Sequence, residues 1–246
     1  MTGTILILGG TAEAVALART LSSDPGRRVI SSLAGRTATP RLPPGESRVG
    51  GFGGETGLTD YLRHEAITAV VDATHPFASR MGWNAARACA ALGLPLLRLD
   101  RPAWMAGPMD YWTPVTAWRE AIDLLRCTSK RVFLAVGRQE LAAFAGLDDV
   151  WFLLRFAENA KPEPPPARFT LIADRGPFTL EGERALLRMH TIDTIVCRNS
   201  GGAAARAKLE AASALGLPVI MLERPLRPET ACAGSAEDAA AWVRGI

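Results

Sequence analysis

Apolar residues in this chain come in short unbroken runs rather than in the alternating pattern of a half-exposed strand. Residues 5–8, 69–71, 132–135, 194–196 and 219–222 are such runs, rich in Val, Ile, Leu and Phe. Strands of this kind are buried on both faces, as in a parallel sheet covered by helices. Helical stretches fall between and after them, at 12–21, 117–126 and 236–244. The pattern predicts α/β architecture with right-handed crossovers, which bring the strands' C-terminal ends to one edge. Ligands bind at that edge in folds of this type.

The pattern also repeats. Ala91-Leu92-Gly93-Leu94-Pro95 recurs as Ala214-Leu215-Gly216-Leu217-Pro218. The run LLRLDRP at 96–102 then matches VIMLERP at 219–225. Working backwards, 69–71 parallels 194–196, 5–8 parallels 132–135, and the prolines around 40–44 parallel those at 162–166. Forwards, each copy closes with an amphipathic helix, at 117–126 and 236–244. The period is far too long for a solenoid. It predicts two similar Rossmann-like lobes, 1–129 and 130–246, each a mostly parallel sheet covered by helices. A cleft between them would suit a small molecule. A single continuous doubly wound domain is the alternative.

The strand ends carry the candidate chemistry. After residues 5–8 come Gly9, Gly10, Thr11, Ala12 and Glu13, a glycine turn that opens a helix. A helix N-terminus offers unpaired N–H groups and partial positive charge to a pyrophosphate. The usual spacing is G-x-G-x-x-G; here Thr11 and Ala14 replace the second and third glycines, and the Thr11 hydroxyl is a candidate donor to phosphate. An ordinary strand-to-helix turn reads the same way. The second strand ends in Ser32-Leu33-Ala34-Gly35-Arg36-Thr37, without the acid that holds a ribose 2′-hydroxyl. An arginine there favours a 2′-phosphate and hence NADP(H) over NAD(H), unless Arg36 is only a solvated loop residue. The glycines around Phe52 and Gly53 admit close backbone approach or form a mobile loop. Thr74 and His75 end the fourth strand, where a nicotinamide would lie. Thr74 is a candidate partner for its carboxamide or ribose. His75 is a candidate proton donor or a residue that ties down the loop.

The second lobe differs. Arg138 takes the place of Thr11 and would block a pyrophosphate. Arg198, Asn199, Ser200 and Gly201 follow its fourth strand, and Lys208 follows on a helix. These suit substrate carboxylates, as do Arg101 and Arg224, unless those two only pair with Asp100 and Glu223.

Composition narrows the class. The net charge of +3 arises from 28 basic and 25 acidic side chains, too balanced for nucleic acid or a membrane surface as the main partner. There is no basic leader pattern and no apolar run long enough to span a bilayer. Cys89, Cys127, Cys197 and Cys232 are scattered, as expected of free thiols in a reducing cytoplasm. The three histidines, His64, His75 and His190, do not have metal-site spacing, so no metal is expected. A monomer is the working expectation.

Taken together the motifs are recognisable. ILILGGTAEA at 5–14, SLAGRT at 32–37, VGGFGG at 49–54, DATHPFA at 72–78, RPAW at 101–104, VGRQEL at 136–141, RNSGG at 198–202 and LERP at 222–225 span the chain in order. The chain resembles the precorrin-6A reductase family of cobalamin biosynthesis. Arg198 departs from the lysine more often expected there but keeps the charge. The resemblance implies hydride transfer from NADPH to a carbon of a carboxylate-rich tetrapyrrole, precorrin-6A, giving precorrin-6B. His75 or a bound water would supply the proton. Whether the ring carries cobalt is left open. An NADP-dependent reductase of a smaller anionic substrate and a non-catalytic NADP sensor are the alternatives.

Overall fold

The computed structural model describes residues 3–35, 42–157 and 166–246. The first lobe begins with β1 (Thr4–Leu8), α1 (Ala12–Leu21), β2 (Arg28–Leu33), β3 (Glu46–Val49) and α2 (Glu55–His64). It continues with β4 (Ile67–Asp72), α3 (Ser79–Leu92) and β5 (Leu96–Leu99). Next come β6 (Trp112–Val115), α4 (Trp118–Thr128), β7 (Arg131–Ala135), a 3-10 helix (Arg138–Phe144), β8 (Trp151–Phe156) and β9 (Phe169–Ala173). The chain ends with α5 (Leu180–Met189), β10 (Thr194–Arg198), α6 (Ala207–Leu215), β11 (Val219–Leu222), β12 (Ala231–Ala233) and α7 (Ala236–Arg244).

These strands form two parallel sheets of six, ordered β12-β5-β4-β1-β2-β3 and β6-β11-β10-β7-β8-β9. Each is the 3-2-1-4-5-6 order of a Rossmann-like unit. In β1, Ile5 and Ile7 face α1 and α7, while Leu6 and Leu8 face α2 and α3. Alternation is absent from the sequence because both faces are covered. In the second sheet, Phe133, Ile195 and Met221 pack with Leu187 of α5 and Leu209 of α6. On its other face Phe144 of the 3-10 helix meets Trp118 of α4 edge-on at 5.4 Å.

The repeated A-L-G-L-P runs end α3 and α6 identically. Gly93 and Gly216 both take φ 64° and ψ 28°. Leu94 N–H returns to Cys89 O and Leu217 N–H to Ala212 O, each at 2.9 Å. A residue with a β-carbon resists this left-handed cap, and the following proline stops the helix.

The chain does not divide at 129/130. One unit comprises 1–102 with 225–246, and the other 103–224. The strand and helix that follow β5, namely β6 and α4, join the second sheet, where β6 pairs with β11. Those that follow β11, namely β12 and α7, return to the first, where β12 pairs with β5. The two copies have exchanged their sixth strands. The repeat locates the two closing helices but not the short strands before them, and similarity between copies is silent on which of two like edges a strand joins. Pro114 fits β6 because β6 is an edge strand, where a missing N–H is tolerated.

The returning helix is well anchored. Val243 is fully buried against the α1 side of the sheet, and such burial contributes about 1.5–3 kcal/mol. Arg27 Nη1 donates to Val243 O at 2.6 Å, and Arg244 forks onto Asp24 at 2.9 and 3.0 Å.

Candidate active site

In the first unit, α1 and α3 leave β1 and β4 on opposite faces of the sheet. The C-terminal ends of these neighbouring strands therefore form the switch point where such sheets hold ligands. Gly9 N–H is fixed to Ser32 O at 2.8 Å. Gly10 has φ 116°, and a β-carbon there would meet nothing within 4 Å, so the turn is open above its backbone. Thr11 caps α1: its hydroxyl accepts from Ala14 N–H at 3.1 Å and donates to Ala73 O at 2.8 Å. Its single proton is thus committed, which corrects the expectation that it donates to phosphate. The donors at this end are main-chain N–H groups of the first turn, such as those of Ala12 and Glu13.

Glu13 would repel an anion at that position. Arg101, beyond the end of β5, stands 2.9 Å from Glu13 Oε2 and balances it. The structure brings Arg101, a candidate partner of substrate or of Asp100, to the start of α1. A balanced carboxylate, first-turn N–H groups and open space above Gly10 together fit a dinucleotide phosphate.

At the β2 end, Ser32 is nearly buried and its hydroxyl accepts from Arg48 Nη1 at 2.8 Å. Arg48 lies opposite Ser32 on β3. Its guanidinium also donates to the carbonyls of Gly50 and Gly51, both at 3.0 Å, and lies 3.9 Å above the Phe52 ring. Phe52 in turn meets Tyr61 edge-on. Arg48 therefore shapes the glycine loop around Phe52 and Gly53, whose φ is 81°. Ala34 and Gly35 complete this edge. Arg36 and Thr37 lie outside the described residues.

At the β4 end, Asp72 is 3% exposed and organises the loop. Its Oδ1 accepts from Thr74 N–H at 3.1 Å and from the Thr74 hydroxyl at 2.6 Å. Thr74 can therefore accept from a carboxamide but has no hydroxyl proton left to give. His75 is half-buried, and its Nδ1 accepts from Phe77 N–H at 3.2 Å. The neutral ring then carries its proton on Nε2. Asp72 Oδ2 pairs with Arg227, which sequence reasoning missed.

The second unit handles the same positions differently. Glu140 Oε2 takes Gly137 N–H at 2.8 Å and faces Arg198 Nη1 at 3.2 Å. An internal carboxylate occupies the helix start that a phosphate would use. The expectation that Arg138 fills this slot is corrected: its guanidinium lies over Phe156, 5.6 Å from the ring centre. Asn199, Ser200 and Gly201 form a loop held by its carbonyls. Arg224 Nε donates to Asn199 O at 3.0 Å and its Nη2 to Ser200 O at 3.3 Å, so this loop is its partner. Trp104 Nε1 donates to Gly202 O, and Asn199 exchanges two hydrogen bonds with the Trp104 backbone. Lys208 is displaced from the expected site: it is 6% exposed, donates to Ala205 O at 2.6 Å and lies over Trp104. Burial pushes its pKa down.

Arg48 and Glu140 were also missed. Their only signals were indirect: Arg48 stands at the register position opposite Ser32, and Glu140 three residues past Gly137.

No helix among the described residues is long and apolar enough to cross a membrane. Two Rossmann-like units, one with an open glycine turn before α1 and one whose turn is filled by its own carboxylate, define a two-unit α/β protein of the Rossmann-like class. The family model Precorrin-6x reductase CbiJ/CobK matches residues 4–244, and the chain belongs to that family. A precorrin-6A reductase of Rhodococcus erythropolis is 48% identical over 240 residues, covering 97% of this chain and 96% of the relative. A cobalt-precorrin-6A reductase of Priestia megaterium is 32% identical, covering 90% of each chain. The solved structure of a CobK precorrin-6A reductase superposes with a TM-score of 0.92 at 42% identity, covering 100% of this chain and 97% of that one.

Proposed function

We propose that this enzyme reduces the macrocycle of precorrin-6A to precorrin-6B in cobalamin biosynthesis, with NADPH as the hydride donor. The observation that carries the cofactor reading is the open turn at Gly10 with Arg101 neutralising Glu13. Its preference for the 2′-phosphate rests on the acid-free end of β2 and on Arg36. When bound, NADPH supplies the hydride. The chain's residues do the rest. The first turn of α1 binds phosphate, the Phe52–Gly53 loop flanks the adenosine end, and Thr74 accepts from the carboxamide. Arg138, Arg198 and the Gly201 N–H take substrate carboxylates at the edge of the second unit, the Asn199 and Ser200 N–H groups being held by Leu222 O and Arg198 O. The enzyme works mainly by positioning.

His75 is assigned the proton. With Nδ1 accepting from Phe77, the proton it presents is that on Nε2.

We further infer that the ring arrives without cobalt, because the relative whose name lacks cobalt shares more of this sequence than the one that bears it. The test is direct. Purified enzyme is given precorrin-6A or its cobalt form, with NADPH or NADH, and loss of reduced-nicotinamide absorbance is followed. Fast turnover only with precorrin-6A and NADPH supports the reading. Turnover of neither ring, or equal use of NADH, overturns it.

A further inference from the structure

The segment that re-enters the first unit after β11 brings Arg227 behind the loop that carries His75. The Arg227 side chain is 7% exposed and pairs with the buried Asp72 carboxylate. Its Nη1 also donates to the carbonyls of His75 at 3.3 Å and Pro76 at 3.1 Å. The segment is pinned on both sides: Ser79 Oγ donates to Leu226 O at 3.0 Å, and Arg98 Nη1 to Pro228 O at 2.7 Å. Helix α3 leaves room for the guanidinium at Gly82, where a β-carbon would lie 2.7 Å from Arg227 Nε and 2.8 Å from Nη2.

The other copy makes the same arrangement with different chemistry. Arg227 stands two residues after LERP; Trp104 stands two residues after LDRP, at the same place in the repeat. Trp104 donates to Gly202 O at 2.8 Å and holds Asn199. In each unit the residue two places past the LDRP or LERP run reaches the loop after the fourth strand and donates to its main chain, Arg227 to His75 O and Pro76 O and Trp104 to Gly202 O. Two copies that diverged in side chain have kept that job.

We propose that Arg227 is the positioning residue of the His75 loop: by fixing the carbonyls of His75 and Pro76 to Asp72, it sets where the imidazole stands. It controls turnover rather than cofactor affinity, and it touches neither substrate nor cofactor. This rests on the reading that His75 acts at the reacting centre.

Two variants test it in the full chain. Arg227→Lys keeps the charge but loses the planar fork. Gly82→Ala keeps Arg227 and suits a helix, but crowds the guanidinium aside. Each is compared with His75→Ala, alone and combined. Turnover, NADPH affinity, precorrin-6A KM and melting temperature are measured, with rates taken per folded enzyme. Misplacement of about 1 Å costs on the order of 10²-fold. We expect kcat to fall by about that factor in both variants, with NADPH affinity and KM within about twofold. In the His75→Ala background, neither should lower kcat further. Wild-type kcat in Arg227→Lys and Gly82→Ala, beside an impaired His75→Ala, overturns the proposal and spares the reading of His75. Wild-type kcat in His75→Ala overturns that reading instead. A further loss in the double variants equal to that in the singles shows a structural role only, and also overturns the proposal.

Discussion

Arg101 Nη1 lies 2.9 Å from Glu13 Oε2, at the first turn of α1. The pair places a cation beside the one carboxylate that would oppose a bound phosphate. Arg101→Ala should weaken NADPH by about tenfold, or ~1.4 kcal/mol, within the range for a hydrogen bond to a charged group. Adding Glu13→Gln should restore most of it. Fluorescence titration with NADPH checks both. If Arg101→Ala raises only the precorrin KM, the arginine serves substrate after all.

Cofactor preference depends on the β2 edge. Arg36→Ala should weaken NADPH by ~1.5–3 kcal/mol and leave NADH nearly unchanged. Arg48→Ala releases the carbonyls of Gly50 and Gly51 and should weaken both cofactors alike. Paired titrations separate the two roles, and an equal loss of both cofactors in Arg36→Ala would remove it as the 2′-phosphate reader.

For the second unit the expected signature is in KM. Arg138→Ala and Arg198→Ala should each raise the precorrin-6A KM severalfold with NADPH affinity intact. Glu140→Ala removes the side chain that occupies the helix start. It should make that turn bind inorganic phosphate, seen as a phosphate-dependent rise in melting temperature that the wild type lacks. Weaker NADPH binding in Arg138→Ala would reverse the roles assigned to the two units.

His75→Ala should lower kcat by about 10²–10⁴, the usual range for a positioned acid. One ionisation should vanish from the pH–rate profile. A joint fall in melting temperature and cofactor affinity, with the profile kept, would make His75 a loop anchor only.

Lys208 yields a stability prediction. Burial lowers its folded pKa below the ordinary lysine value. Between those two values the unfolded chain binds the extra proton, so stability rises with pH across that window. Wild type should therefore gain stability relative to Lys208→Met as the solution is made alkaline through it. Denaturant melts of both proteins over that range measure the difference, and a parallel pH dependence would show that Lys208 titrates alike in both states.

Much of the fold was legible because it is local. The doubly apolar runs forecast buried parallel strands, and the A-L-G-L-P runs forecast identical helix ends at Gly93 and Gly216. The strand order and the exchange of β6 for β12 were not legible, since edge pairing is decided by packing between distant segments. At the site, residue types were readable but their partners were not. Thr11 and Thr74 look like ligand donors in sequence, yet their protons go to Ala73 O and Asp72 Oδ1. Lys208 reads as a cation for a substrate carboxylate and is buried against Trp104. Arg227 and Arg48 act through carbonyls of residues that composition cannot pair with them.

The exchanged sixth strands bear on how such a gene can be inherited. A duplicated Rossmann-like unit is ordinarily portable, because recombination can excise it whole and fuse it elsewhere. Here a cut at the repeat boundary, 129/130, leaves each half with a strand and helix that belong to its twin and without its own. The second unit, 103–224, is contiguous but lies inserted within the first, so no single break separates the two complete sheets. Only a pair of cuts that rejoins 102 to 225 parts them, so the copies diverge in side chains, as Trp104 and Arg227 have, more readily than they separate.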